Sequence, residues 1–211
     1  AMRMEMGKSS RAKLDIVRAV LMIAAMSYQA TGNLFHEITG VMLLILFSMH
    51  NLINRKWYGS LLKGKYSGYR KMMAAVNVLT LTAMLTAMGT GIYLSQSIFA
   101  PFWGMREAYL IRPVHVAAGA WGTLLVSVHG GMHIRLPSGR QRLQAVLILA
   151  AAVPGIWAFL TLDMPARLSF RDAGNLWRYP SPLLFAANAF MMLFFAGLSA
   201  AAADRLKKRR N

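Results

Sequence analysis

HEITGVMLLILFSMH at residues 36–50 and HVAAGAWGTLLVSVH at residues 115–129 are the two stretches on which the reading of this chain turns. Each begins and ends on histidine. His36 and His50 are 14 residues apart, and so are His115 and His129. Each first histidine is followed four residues later by a glycine, Gly40 and Gly119. Each second histidine is preceded two residues earlier by a serine, Ser48 and Ser127. The rest of both stretches is apolar, apart from Glu37, Thr39 and Thr123. Fourteen residues make just under four helical turns, so the two histidines of a helix lie on nearly one face, about 21 Å apart along its axis. That is most of the thickness of a bilayer core.

Outward from these stretches the chain stays apolar. Of its 211 residues 56% are hydrophobic, yet it carries 24 Lys+Arg against 7 Asp+Glu, a formal net charge of +17. A soluble domain rarely combines the two. A nucleic-acid binder would not set its charge beside long uncharged runs, so nucleic acid is not an expected partner. A disordered basic tail would lack the apolar content. A polytopic membrane protein with charged loops fits both, and the lipid bilayer is its first partner. A spanning helix needs roughly 20 mostly apolar residues. Six segments predict such helices, near Leu14–Ala30, Leu34–Ile53, Met72–Ile98, Pro113–Ile134, Leu143–Leu162 and Pro182–Ala203. The expected fold is all-α, with residues 1–211 as one integral membrane domain. The first span carries Asp15 and Arg18 and lacks a small-residue cleavage site after a short apolar core, so it reads as an anchor rather than a removed leader.

Alternate loops differ in charge. The N-terminus, the loops after spans two and four and the C-terminal tail hold 19 of the 24 basic residues. Arg106, Arg112, Arg167, Arg171 and Arg178 make up the other side. This bias places both termini in the cytoplasm; the expected location is the plasma (inner) membrane of a prokaryote. It also makes spans two and four parallel. His36 and His115 then belong to the outer side, and His50 and His129 to the inner. Two facing imidazoles can hold one iron from both sides, with a planar macrocycle between the helices. Gly40 and Gly119 would let that flat group approach the backbone, although glycine in a spanning helix also serves close helix packing. A bis-histidine site for two haem b groups is the reading that uses all four histidines. His133, one turn beyond His129, is the alternative inner ligand, and the repeat favours His129. The chain has no cysteine. Disulfides, iron–sulfur clusters, thiolate-ligated haem and covalent c-type haem are therefore excluded.

The pattern resembles the b-type cytochromes that stack two haems across a four-helix bundle. More closely, His36-Glu37-x2-Gly40 followed by Phe47-Ser-Met-His50-Asn-Leu-Ile-Asn-Arg-Lys-Trp57, and His115-x3-Gly119-Ala-Trp121 through His129, are similar to the flavinylation-associated membrane cytochrome family. The likeness covers about residues 14–134 and leaves a further transmembrane hairpin, about 143–203, outside it. It implies electron transfer between the quinone pool, or a cytoplasmic donor subunit, and an extracytoplasmic flavoprotein, with a quinone as a further ligand. A flavin-attachment motif is absent, so the flavin would sit on the partner. Whether the chain is the cytochrome b subunit of a quinol-linked oxidoreductase or only a conduit stays open.

Secondary candidates follow from position. Arg106, Arg112, Arg171 and Arg178 on the outer side, and Arg55, Lys71 and Arg135 on the inner, could meet haem propionates. Each is equally explained by its loop. Glu37 is either a proton acceptor during quinol oxidation or a boundary carboxylate that snorkels or pairs with an outer arginine. Asp163 and Asp172 read as solvated loop residues, and the 16 methionines as adaptable core filler rather than copper ligands. Two rival functions remain, a transition-metal transporter and a structural membrane subunit of a larger complex. The first would want acidic residues within the spans, and these are confined to Asp15, Glu37 and Asp163 near the ends.

Overall fold

The computed structural model describes residues 8–61, 63–103, 109–134, 141–171 and 180–208. These form helices α1 (Lys8–Met26), α2 (Tyr28–Thr31), α3 (Asn33–Ile53), α4 (Lys56–Ser60), α5 (Gly68–Leu94), α6 (Ala100–Trp103), α7 (Ile111–His133), α8 (Gln141–Thr161), α9 (Met164–Leu168) and α10 (Ser181–Lys208). No strand occurs among the described residues.

Four helices, α3, α5, α7 and α10, are 21 to 28 residues long and apolar enough to cross a membrane. Two of the expected six spans fall short of that standard. In α1, basic residues and Asp15 occupy the first half, and the helix stops at Met26 rather than Ala30. There the Ser27 hydroxyl turns back to the Ile23 carbonyl at 2.8 Å. Gly32, at φ 78°, then separates the short α2 from α3, a backbone conformation that glycine adopts without a Cβ penalty. In α8 the apolar run is Ala145–Thr161, short of the length required. The third expected span, α5, also ends four residues early, at Leu94.

The long helices form a ring. α1 packs on α3 and α7, and α5 packs on α7 and α3. The two diagonals are open: no Cα of α3 lies within 8 Å of a Cα of α7, nor of α1 from α5, among the described residues. α8 and α10 lie together on the outside of α7, with α9 bridging α7 and α8. Ala120, Ala158, Leu162, Met164, Leu184, Ala187 and Met191 form the buried core of this outer layer. A second core, shared by the ring and α10, is Met22, Ala25, Leu43, Met84 and Met192. Methionine here fills irregular space between helices, as the sequence reading expected. Buried Asn188 donates from α10 to Ser27 at 3.3 Å and so ties the outer layer to the end of α1.

The outward face of α3 carries Leu34, Ile38, Met42, Ile45, Met49 and Leu52, all exposed. An apolar stripe at three- and four-residue spacing suits a helix that meets lipid on that face. At one end of the bundle, the Tyr69 hydroxyl donates to the Met132 carbonyl at 3.4 Å, and Lys207 lies 4.6 Å over the Tyr69 ring. The basic loop after α3, the end of α7 and the basic end of α10 thus come together. Arg70 binds the carbonyls of Ser60, Lys63 and Lys65 there at 2.6–3.1 Å and closes the loop on itself.

Candidate functional site

The four repeat histidines meet in two pairs across the open diagonal between α3 and α7. The His36 and His115 ring centroids are 5.9 Å apart, and those of His50 and His129 are 6.2 Å apart. Each pair stands nearly perpendicular, with interplanar angles of 85° and 80°. The backbones stay separated while the imidazoles bridge the gap. The local reason is helical periodicity. On α3, His36, Gly40, Leu43, Phe47 and His50 recur every four and three residues, and His115, Gly119, Gly122, Val126 and His129 do the same on α7. Two such stripes facing each other place like with like. Between the pairs, Leu43, Phe47, Val126, Met22, Met84 and Met88 form an apolar layer.

Three rings have a defined tautomer. His36 Nδ1 lies 2.9 Å from the Ala25 carbonyl oxygen on α1. His115 Nδ1 lies 2.9 Å from the Ala87 carbonyl oxygen and 3.1 Å from Thr90 Oγ1 on α5. His129 Nδ1 lies 2.8 Å from Asn77 Oδ1, also on α5. A carbonyl oxygen only accepts, so Nδ1 carries the proton in each case. The lone pair is left on Nε2, the arrangement that orients a neutral imidazole as a metal ligand. Each site therefore offers two imidazoles from opposite sides. With a metal–nitrogen distance of about 2 Å, centroid separations of 5.9 and 6.2 Å would leave room for one ion between the two rings of a pair. No group of three or more His, Cys, Asp or Glu able to hold an ion gathers among the described residues. The ligand sets on offer are pairs.

His133 is exposed and stacks edge-on against His129, with centroids 4.8 Å apart, while His129 is the ring opposite His50. Among the described residues nothing outside its own helix comes within 4 Å of where a Cβ on Gly40 would be, and at Gly119 only Met26 Sδ does, at 3.6 Å. Neither glycine is demanded by close packing among these residues. Gly91 was not singled out in the sequence but packs tightly: a Cβ there would stand 3.0 Å from His115 Cε1. Asn77 and Thr90 were also missed. Their signal was available as polar residues inside an apolar span, with nothing to say which histidine they would serve.

The charged candidates fare unevenly. Arg112, Arg171, Arg55 and Lys71 are exposed, while Arg106, Arg135, Arg178 and Asp172 lie outside the described residues. Among the described residues Glu37 pairs with no arginine. Its carboxylate accepts from the Gln96, Ser97 and Ile98 amides and from the side chains of Ser95 and Asn33. Arg167, counted in the sequence only as an outer charge, is buried in α9, and among the described residues its Nε and Nη2 have no hydrogen-bond partner. Burial pushes its pKa down, against the opposing pull of the Asp163 charge. No protein-family model, curated protein or solved structure matches this chain.

Proposed function

We propose that this chain is a two-haem, b-type membrane cytochrome that carries electrons across the bilayer. On this reading it works between a quinol pool or donor subunit and an extracytoplasmic flavoprotein. The observation that carries the reading is the pair of imidazole pairs. They stand 5.9 and 6.2 Å apart across a diagonal where α3 and α7 otherwise make no close backbone approach. His36 and His115 would hold the outer haem, and His50 and His129 the inner. Bound there, haem would supply reversible one-electron chemistry. The chain's own part is to present neutral imidazoles, hold their tautomers through Ala25, Ala87 and Asn77, and exclude water with the methionine-rich layer between the sites. Gly40 and Gly119 would leave room for the macrocycle.

The same reading takes α1 and α8 as spans, which makes six. A charged first half is tolerated in α1 because Arg18 pairs with Asp15 at 2.5 Å and basic side chains can reach the interface. Both termini would lie in the cytoplasm of a prokaryotic plasma membrane, following the basic loops. The resemblance to the flavinylation-associated membrane cytochromes supports the choice of partner.

The deciding experiment is an optical one. The full chain, purified after haem-replete expression, should give a reduced-minus-oxidised b-type spectrum with two haems per chain. A colourless protein would remove the reading. A second expectation follows from Gly40. Nothing among the described residues outside its own helix opposes a Cβ at this position, so Gly40→Ala should leave the thermal stability of the haem-free chain unchanged or slightly raised. Haem affinity should nonetheless fall about tenfold or more, because the new methyl would intrude on the macrocycle. Titration of haem into the haem-free variant measures it, and wild-type affinity would place the macrocycle elsewhere.

A further inference from the structure

The outer histidine pair has a support that the inner pair lacks. Glu37 follows His36 directly, and its carboxylate takes up the end of α5. Oε1 accepts from Asn33 Nδ2 at 2.7 Å, from the Gln96 amide at 2.7 Å and from the Ser97 amide at 3.1 Å. Oε2 accepts from Ser95 Oγ at 2.7 Å and from the Ile98 amide at 2.8 Å. Three successive backbone N–H groups converging on one carboxylate form an anion-binding nest. Two more bonds close the wrap. The Phe99 amide donates to Ser95 Oγ at 2.9 Å, and Asn33 Nδ2 reaches Ser97 Oγ at 3.2 Å.

The held segment is the direct continuation of α5, and the last turns of α5 hold His115 through the Ala87 carbonyl, Thr90 and the close approach of Gly91. Both outer imidazoles are thus referred to one short piece of chain. His115 is held by it directly, and His36 through the neighbouring carboxylate. On the inner side the residue after His50 is Asn51, which donates within its own helix to the Phe47 carbonyl and accepts from Tyr58 in the adjoining loop. Among the described residues no hydrogen bond of Asn51 reaches α5.

We infer that Glu37 is a positioning residue for the outer histidine pair: it staples α3 to the end of α5 and so sets His36 opposite His115. The geometric part stands without any cofactor, and the consequence for haem rests on the two-haem reading. A glutamine fills the same space. It removes one acceptor oxygen, however, and turns an amide N–H₂ toward the donors of the nest, so that some of these hydrogen bonds are lost.

The test uses the full chain with Glu37→Gln and Glu37→Asp. Amide hydrogen exchange at residues 96–98 should rise at least about tenfold in Glu37→Gln, as expected when a local hydrogen-bonded unit opens. Because the chain has no native cysteine, spin labels at Leu34→Cys and Leu110→Cys report the distance between the outer ends of α3 and α7. That distribution should broaden or shift in Glu37→Gln. In the haem-loaded protein the low-spin ferric resonance and midpoint potential of one haem should move, with the other unchanged. Glu37→Asp keeps both oxygens and should recover part of each effect. Unchanged exchange together with an unchanged label distance would overturn the inference, as would equal shifts of both haems. A colourless wild type would defeat the two-haem reading and leave the exchange and label measurements to decide the staple.

Discussion

On the proposed two-haem reading, replacing His115 with alanine should lower the haem content from two per chain to one and leave the inner site working. His115 and His129 on α7 are separated by about 21 Å of helix axis, with the layer of Leu43, Phe47, Val126, Met22, Met84 and Met88 between them. Loss of one imidazole therefore reaches only the site it serves. His36 would remain, still held through Nδ1 by the Ala25 carbonyl, but a single axial ligand binds haem far less firmly than a pair. Replacing His129 should remove the inner haem and spare the outer, and the double substitution should give a colourless protein. The fold should survive each change, since these half-buried rings contribute little to the methionine core. Haem extraction against protein mass gives the stoichiometry. A redox titration should resolve two waves in the wild type and one in either single variant. Two haems retained in the His115 variant would mean that the histidines pair differently or do not ligate.

Replacing Gly131 with valine should be the most damaging change to the fold itself. Here α7 crosses α10 so closely that a Cβ would run into the Ala196 carbonyl and Ser199 Oγ. Backbone cannot swing aside as a side chain can, so the helices must separate. Glycine at a crossing between membrane helices exists for this approach. Overpacking of this kind costs about 1–3 kcal/mol or more, and in a chain of this size each kcal/mol lowers Tm by about 2–4 °C. Gly130 supplies the control. Among the described residues nothing outside its own helix stands within 4 Å of a Cβ at that position, so Gly130→Val should be neutral or slightly stabilising, valine having the higher helix propensity. Thermal unfolding in detergent should separate the two variants by several degrees. Equal melting would show that α7 and α10 do not cross there. Because His129 lies two residues from Gly131, inner haem content should also fall in Gly131→Val and hold in Gly130→Val.

These two predictions draw on different layers of information. The first was legible in the linear order of residues. A spacing of 14 is enough to place both histidines of a helix on one face, and the basic loops are enough to make the two helices parallel. The second was not legible at all. Gly131 looked like one of several glycines, and only the path of α10 distinguishes it from Gly130. The same contrast separates the ligands from what holds them. The Nδ1 partners of His115 and His129 are 28 and 52 residues away in sequence, and the amides that fill the Glu37 carboxylate are 59 to 61 residues away. No local pattern announces contacts of that range.

Sequence by itself determined the helical, membrane-suited character of this chain and the coincidence of its histidines on two helix faces. The reason is that apolar length and a 3.6-residue period act within a single helix. Tertiary structure alone decided that those faces meet across an open diagonal, which nitrogen of three imidazoles is protonated, and that the Glu37 carboxylate binds the segment following α5. Those outcomes depend on which helix lies beside which. That is settled by the fit of separate segments, such as Gly131 against Ala196 or Gly91 against His115, rather than by any one of them.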